Sequence, residues 1–564
     1  MSQMSELPSL GAEKGSPDAR WLVSLILLVW ACVYLPELGT RELQGNEARR
    51  ILPAQTMLAT GKWLVPELAG RPYFKKPPLI NWMIAASLRI TGRDDEWTCR
   101  LPTTLCVLAY ALMLVAVPCR WMDIHSRALA ALVFLTSLGI MIQGRSTEID
   151  PVLACISGMA IWWWISHYPD ARHPYRLWLP SGVFLGIGLL LKGPLILLFF
   201  YAAVIAVLLT HGDIRALFKP AHLGSVLLML AMFAFWAAPA LSIGSSQAVQ
   251  ETWSGELTNK IHKPWDPLSW IRLFLGSGMN FMPWLLVVPS AFRCQRRDSG
   301  AGRGLAGLWI AAGICFAALS LMPGARPRYT IPLLAVTCIP LGHYLGQCGF
   351  DRGFGVEGFL SRGARILGVT FMLGAGAQLG LFLWTRHRGI APSTTPQIGT
   401  VVLAFAATLA LVLSRRRLME LSRHPWGHPI GAVLLLACAG LQVNTFVTPA
   451  MSLADYKRPV GRKLGQYLDP GQTLHLYIDD RDQYKPFLYY LPYSLAYLGP
   501  GQDLDPHMQY LFAVDGLYAQ TARRLVQRGL QIQTLCRLEY KHDDYFLGKV
   551  MPIARREAAT AWTP

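Results

Sequence analysis

Apolar runs of about 15 to 22 residues recur along most of the chain, each the length a helix needs to cross the hydrocarbon core of a bilayer. They lie near residues 21–38, 101–118, 128–142, 151–166, 177–191, 193–210, 222–243, 277–292, 305–322, 329–346, 365–385, 398–414 and 428–447. A fourteenth run, near 79–90, is shorter and follows Lys75-Lys76-Pro77-Pro78, which reads as an interfacial helix rather than a span. Thirteen spans are therefore expected. With 53% hydrophobic and 15% charged residues, the composition excludes an ordinary soluble protein. The polar segment Met1 to Arg20 precedes the first run and no small-residue cleavage site follows it, so that run reads as an uncleaved span.

Fifty-two basic against 34 acidic residues give a formal charge of +18, which in a soluble protein would point to nucleic acid. In a membrane protein, Lys and Arg collect in cytoplasmic loops instead. Thirteen spans and a cytoplasmic N-terminus place the basic turns inside: Arg120 to Arg127, His167 to Arg176, His211 to His222, Arg293 to Arg303, Arg352 to Arg365 and Arg415 to His424. Counting the 79–90 run as a span would turn those loops outward, so the sequence predicts thirteen spans and no nucleic-acid partner. The eleven cysteines lie mostly in apolar runs and form no CxxC pair, which supports neither a disulfide framework nor a zinc knuckle.

The same topology turns outward the first loop, about 39–100, the turn Gln143 to Pro151, the loop Ser245 to Gly276, the turn Pro323 to Arg328 and everything after Val447. Residues 1–449 read as the transmembrane domain, its first exterior loop carrying interfacial helices. Residues 450–564 are polar and alternating. Thr473 to Ile478 and Tyr510 to Val514 read as strands and Ala522 to Gly529 as a short helix, hence an exterior α/β domain of roughly a hundred residues.

Ionisable residues at span ends are costly and each needs a partner. Glu47, in Gly45-Asn46-Glu47-Ala48-Arg49-Arg50, and Asp150, in Thr147-Glu148-Ile149-Asp150-Pro151, fall on the same membrane face. Their bland reading is that Glu47 caps a helix or neutralises the arginines beside it, and that Asp150 caps a helix beginning at Pro151. Lys75 and Lys76 would put ammonium groups at headgroup level, where a lipid phosphate lies. Snorkelling or attraction to anionic lipid is the alternative. Lys192, in Leu-Lys-Gly-Pro, and Arg326, Arg328 and Tyr329, in Arg-Pro-Arg-Tyr, also lie outside, and with Lys76 the cations would ring one anionic group.

The order of these motifs resembles a known family. The first-loop acid, TGKWLVPELAGRPYFKKPPLINW, Arg100-Leu101-Pro102, RSTEIDP, LLKGP and RPRYTIPLL look like the membrane glycosyltransferases of the GT-C type, nearest the aminoarabinose transferase and protein O-mannosyltransferase group. The resemblance implies a mainly α, polytopic helical bundle of about thirteen spans with a C-terminal exterior α/β domain. It implies transfer of a sugar from a polyprenyl phosphate carrier, such as undecaprenyl phosphate, to a glycolipid, protein or glycan acceptor on the periplasmic face of a bacterial inner membrane. The family's Asp-Glu pair falls on Asn46-Glu47; an amide cannot act as a base, so Glu47 or Asp150 takes the catalytic role or the activity is altered. The carrier-phosphate lysine falls on Lys76, the second exterior acid on Asp150, the Lys-Gly turn on Lys192 and the late exterior motif on Arg328 and Tyr329. Asn46, Arg49, Arg50, Lys75, Arg326, Glu256 and His262 are further candidate contacts to donor or acceptor.

Chemically, cations in a water-poor cleft would stabilise the charge that develops on phosphate as the sugar–phosphate bond breaks. A carboxylate taking the acceptor's proton would complete an inverting displacement. A divalent metal is compatible with the exterior acids and His262, although none shows ligand spacing such as HxxxH. The rivals are a lipid-linked sugar flippase, against which stands the lack of two similar halves, and a homologue that binds carrier lipid without catalysis.

Overall fold

The computed structural model describes residues 17–68, 71–74, 76–168, 173–243, 267–293, 299–348, 356–387, 398–414, 427–452, 457–469, 472–477, 486–491, 494–498, 508–514, 518–540 and 543–553. In chain order its main helices are α1 (Pro17–Tyr34), α2 (Ala48–Thr60), α3 (Leu79–Thr91), α4 (Glu96–Ala116), α5 (Ile124–Leu135), α6 (Leu138–Gln143), α7 (Ile149–His167), α8 (Pro174–Lys192), α9 (Leu195–His211) and α10 (Pro220–Ile243). There follow α11 (Pro267–Phe281), α12 (Val288–Arg293), α13 (Gly300–Ser320), α14 (Ile331–Cys348), α15 (Val356–His387), α16 (Ile398–Leu413), α17 (Gly427–Gln442), α18 (Thr448–Ser452), α19 (Lys457–Gly465) and α20 (Tyr518–Val526). A 3-10 turn, Pro327–Thr330, leads into α14.

Contacts divide the chain into two units. The first, Met1–Arg41 with Lys75–Leu453, is helical. Among the described residues, seven of its helices are long and apolar enough to cross a membrane, or eight if the bent pair α11 and α12 is one span, and α1, α3, α5, α9 and α16 are shorter apolar helices. The chain is thus a multi-pass membrane protein. The expected thirteen also count the runs of the shorter helices α1, α5, α9 and α16 and the run 365–385 within α15, which is not among these spans. At 13 residues α3 rises about 20 Å, short of the roughly 30 Å hydrocarbon core, and so fits an interfacial place. Protein encloses some helices far more than others: 83% of the apolar window is buried in α7 and in Pro327–Cys348, against 22% in α10. The well-enclosed pair is where costly polar side chains can be satisfied by protein.

Two apolar runs are interrupted. The run 128–142 is α5 and α6, broken at Thr136 and Ser137, whose hydroxyls donate back to the carbonyls of Leu132 (2.6 Å) and Val133 (2.7 Å). The run 277–292 is a 94° bend between α11 and the Trp284–Arg293 segment, at Pro283, which has no N–H to continue a helix. Helix α11 starts at Pro267, inside the stretch expected to be loop. The breaks satisfy one another, since the Leu138 N–H donates to the Met282 carbonyl (2.9 Å) and Trp284 Nε1 to Thr136 Oγ1 (3.1 Å).

The second unit joins Glu42–Phe74 to Ala454–Pro564, a grouping that a single cut near residue 450 does not express. Glu42 accounts for it. Its buried carboxylate accepts the backbone N–H groups of Lys457 (2.8 Å) and Arg458 (2.7 Å) at the start of α19, while Lys457 Nζ donates to the Leu43 carbonyl (2.7 Å). The Leu43 N–H donates to Tyr490 Oη (2.9 Å). A small hairpin pairs β1 (Glu67–Leu68) with β2 (Arg71–Pro72). The larger sheet consists of β3 (Thr473–Tyr477), β4 (Ser494–Tyr497), β5 (Tyr510–Val514), β6 (Leu530–Tyr540) and β7 (Asp543–Pro552), in the order β4-β3-β5-β7-β6. Strand β3 runs parallel to both β4 and β5, and β7 is antiparallel to β5 and β6. Helix α20 closes the core through Leu525, against Leu511, Ala513 and Phe546.

Candidate functional site

In the helical unit, four charged side chains converge from three places in the chain. Helix α7 begins at Ile149, not Pro151, and Asp150 lies in its first turn. The expected capping role gives way to ion pairing: one Asp150 oxygen pairs with Lys192 Nζ and the other lies 3.5 Å from Arg328 Nε. Arg328 Nη1 reaches Glu148 Oε1 at 3.1 Å. Tyr329 completes the group, its ring centroid 4.8 Å from Lys192 Nζ and 5.8 Å from Arg328 Cζ. The Asp150 side chain is 4% exposed and Lys192 13%, so this cluster is shielded from water and salt far better than a surface ion pair.

Local sequence sets each arm. Lys192 ends α8 because Gly193 follows at φ +81° and ψ −154°, a backbone that a side chain would strain, and Pro194 then opens the next helix. A lysine in a last helical turn also faces the negative end of the helix dipole. The turn before α7 is tied down by Arg145, which donates to the carbonyls of Val33 (2.8 Å) and Pro36 (2.6 Å). Ser146 Oγ donates to the Gln143 carbonyl (2.8 Å). Burial, with the Arg100 guanidinium nearby, pushes Arg145 down to about 9, while Tyr34 and Glu37 act in the opposite direction. Arg100 itself donates to the carbonyls of Leu38 (2.8 Å) and Arg41 (2.9 Å), so two arginines secure the chain leaving α1.

The structure thus unites Asp150, Lys192, Arg328 and Tyr329, but not as an open ring of cations: two carboxylates alternate with two cations. Glu148 is the member that sequence reasoning missed, although it stands two residues before Asp150 in the same motif. Arg326 is exposed at the edge of the turn. Lys76 is half-buried in the bend before α3, a helix that packs on α4 and α8. Lys75, Glu256 and His262 lie outside the described residues. Among the described residues, no group of three or more His, Cys, Asp or Glu side chains is arranged to hold a metal ion.

In the second unit Glu47 is 2% exposed. It occupies the N-cap position of α2 without a side-chain cap bond; its carboxylate instead accepts the Gln44 N–H at 2.7 Å, folding the Gln44–Glu47 turn on itself. Arg50 is buried, with Nη1 3.4 Å from Tyr73 Oη, while Asn46 and Arg49 are half-buried.

Comparisons with known proteins agree with this architecture. The family described as dolichyl-phosphate-mannose-protein mannosyltransferase matches residues 75–238. An undecaprenyl phosphate-alpha-4-amino-4-deoxy-L-arabinose arabinosyl transferase of Pseudomonas fluorescens is 25% identical over 401 residues, 66% of this chain and 63% of the relative. One from Sodalis glossinidius is 26% identical over 422 residues, 70% of this chain and 71% of the relative. The crystal structure of ArnT from Cupriavidus metallidurans bound to undecaprenyl phosphate superposes with a TM-score of 0.67 at 18% identity, covering 95% of this chain and 98% of that one. The chain matches somewhat less than two thirds of the length of the first of these curated relatives, and the fold likeness extends over nearly the whole molecule.

Proposed function

We propose that this chain, which has the GT-C type fold and motifs of the aminoarabinose transferase and protein mannosyltransferase group, moves a sugar from a polyprenyl phosphate carrier to an acceptor outside the cytoplasm. The observation that carries the reading is the water-shielded pairing of Asp150 with both Lys192 and Arg328 beside Tyr329. The names of its relatives supply the carrier class, undecaprenyl phosphate, and a pentose donor. Acceptors of the glycolipid or protein kind, and a periplasmic site in a bacterial inner membrane, belong to the same reading.

Displacement of the carrier breaks the bond between the sugar's anomeric carbon and a phosphate oxygen, leaving the phosphate with an added negative charge. Lys192 and Arg328 stabilise that charge because they are fixed before the reaction and shielded from water. Asp150 is the spacer that allows two cations to lie side by side in a low-dielectric setting. Lys76 adds a further cation to the phosphate. The acceptor hydroxyl attacks the anomeric carbon on the face opposite the departing phosphate and gives its proton to a carboxylate, which inverts the configuration, and Glu47, beside Asn46, is the carboxylate that the family resemblance assigns to this task. Asn46, Arg49 and Arg50 are its neighbours in the sequence and the further candidates for contact with donor or acceptor.

The test is transfer of labelled sugar from its polyprenyl phosphate to a membrane acceptor fraction by wild type, Glu47→Gln and Asp150→Asn. Each variant is expected to lose on the order of a hundredfold or more in rate, the range of general-base and electrostatic contributions. Normal transfer by both would remove these carboxylates from the reaction.

A further inference from the structure

We propose that Asn280 is a positioning residue that aims Arg328 at the carrier phosphate, an inference that rests on the reading of Arg328 given above. Asn280 stands one residue before the end of α11. Its Nδ2 donates to the Pro327 carbonyl at 2.9 Å and lies 3.4 Å from Thr330 Oγ1, which itself donates to the same carbonyl at 2.7 Å. The Pro327 carbonyl belongs to the peptide unit that joins Pro327 to Arg328. Holding that oxygen from two sides fixes the peptide plane, and with it the direction in which the Arg328 side chain leaves the turn. The Tyr329 N–H, bonded to the Arg326 carbonyl (2.9 Å), closes the turn from within.

The surrounding packing leaves Asn280 little freedom. A Cβ on Gly276, one helical turn earlier, would come within 2.5 Å of Pro327 Cγ, so α11 lies directly on the turn. On the other side, a Cβ on Gly139 of α6 would come within 2.9 Å of Asn280 Cβ. The same junction bonds Leu138 to Met282 across the two helix breaks. Helix α6 leads into the turn that carries Glu148, the Arg328 partner. Asn280 therefore sits where the carboxylate arm and the cation arm of the cluster are braced against each other. Only a donor suits this place: Asn supplies an N–H to two oxygens, whereas an isosteric carboxylate would face a carbonyl oxygen with no proton to share.

The full-length protein, purified in detergent, is titrated with undecaprenyl phosphate, and binding is read by intrinsic fluorescence for wild type, Asn280→Ala, Asn280→Asp, Arg328→Gln and Asn280→Asp with Arg328→Gln. Thermal melting of each variant checks its folding. The expected result is roughly tenfold weaker binding for both Asn280 variants, and no further loss when Asn280→Asp is added to Arg328→Gln, because the amide acts through the guanidinium. Wild-type affinity in Asn280→Asp alongside weakened Arg328→Gln overturns the inference alone, as do losses that multiply in the double variant. Wild-type affinity in Arg328→Gln overturns the phosphate reading and this inference with it.

Discussion

Asp150 is the residue on which the cluster turns, since each of its carboxylate oxygens faces a different cation. Removing one partner of a buried pair leaves an uncompensated charge and costs about 3–5 kcal/mol, whereas removing both is often nearly neutral. Asp150→Asn is therefore expected to lower the melting temperature markedly. Lys192→Met should lower it less, because Asp150 keeps Arg328, and the double variant should melt above Asp150→Asn alone. Melting curves of the purified variants check this, and equal melting of Asp150→Asn and the double variant would show that the pair is uncoupled. At this scale much of the site was legible: Asp150, Lys192, Arg328 and Tyr329 all announce themselves as polar residues at the ends of apolar runs. Glu148 did not, because within Thr147-Glu148-Ile149-Asp150-Pro151 the acid beside the proline took the whole reading of the motif. Asn280 gave no sign at all, since its importance comes from a carbonyl 47 residues away.

Helices were legible where their apolar runs were uninterrupted and less so where hydroxyls or proline divide them. Thr136 and Ser137 look harmless within 128–142, yet their back-bonding accompanies the break between α5 and α6. Strands β6 and β7 were missed even though Leu530-Gln531-Ile532-Gln533 alternates in the strand period; a register shift between Thr534 and Cys536 interrupts the pattern. Capping offers a prediction for α5. Asp123 precedes it in an extended conformation and accepts the Ser126 N–H at 3.2 Å, with His125 Nδ1 3.8 Å from the carboxylate. Burial alone would raise its pKa, but the nearby His125 ring and the hydrogen bonding to Ser126 outweigh that and bring it from 3.8 down to about 2. A carboxyl whose folded pKa lies below its unfolded one stabilises the fold above pH 3.8 and loses that contribution as pH falls through about 2. Because the side chain is 47% exposed, the effect is set nearer the ordinary cap value of about 1 kcal/mol than the full shift. Asp123→Ala should thus melt below wild type at pH 6, with the gap narrowing between pH 4 and pH 2; a constant gap would show that the ionised cap contributes nothing.

Across the whole molecule, the helical unit has two chemically different ends. The start of α7, the end of α8 and the turn before α14 carry the acid–base cluster. The ends of α7 and α9, the starts of α8 and α10 and the turn before α5 carry aromatic and histidine side chains: Trp121 stacks on His211 (5.8 Å between ring centroids), Trp164 on Tyr168 (4.7 Å), and Trp178 lies against His222 (4.3 Å). Aromatic rings of this kind gather at a membrane–water interface, and the orientation expected from the Lys- and Arg-rich loops beside them puts that interface on the cytoplasmic side. The segment Pro327–Cys348 offers reporters for this orientation, since its 22 residues rise about 33 Å, enough to cross the hydrocarbon core. Arg326 is exposed before its first residue and Cys348 is exposed as its last. In a Cys294→Ser background, so that the other cysteine of the basic loops does not contribute, Cys348 should react with a membrane-impermeant maleimide only after spheroplasts are opened. With Cys348→Ser added, a cysteine introduced by Arg326→Cys should react in intact spheroplasts. The remaining cysteines are buried or half-buried and should contribute little signal. The reverse labelling pattern would place Asp150, Lys192 and Arg328 on the cytoplasmic side, where a sugar transfer to acceptors outside the cytoplasm could not take place.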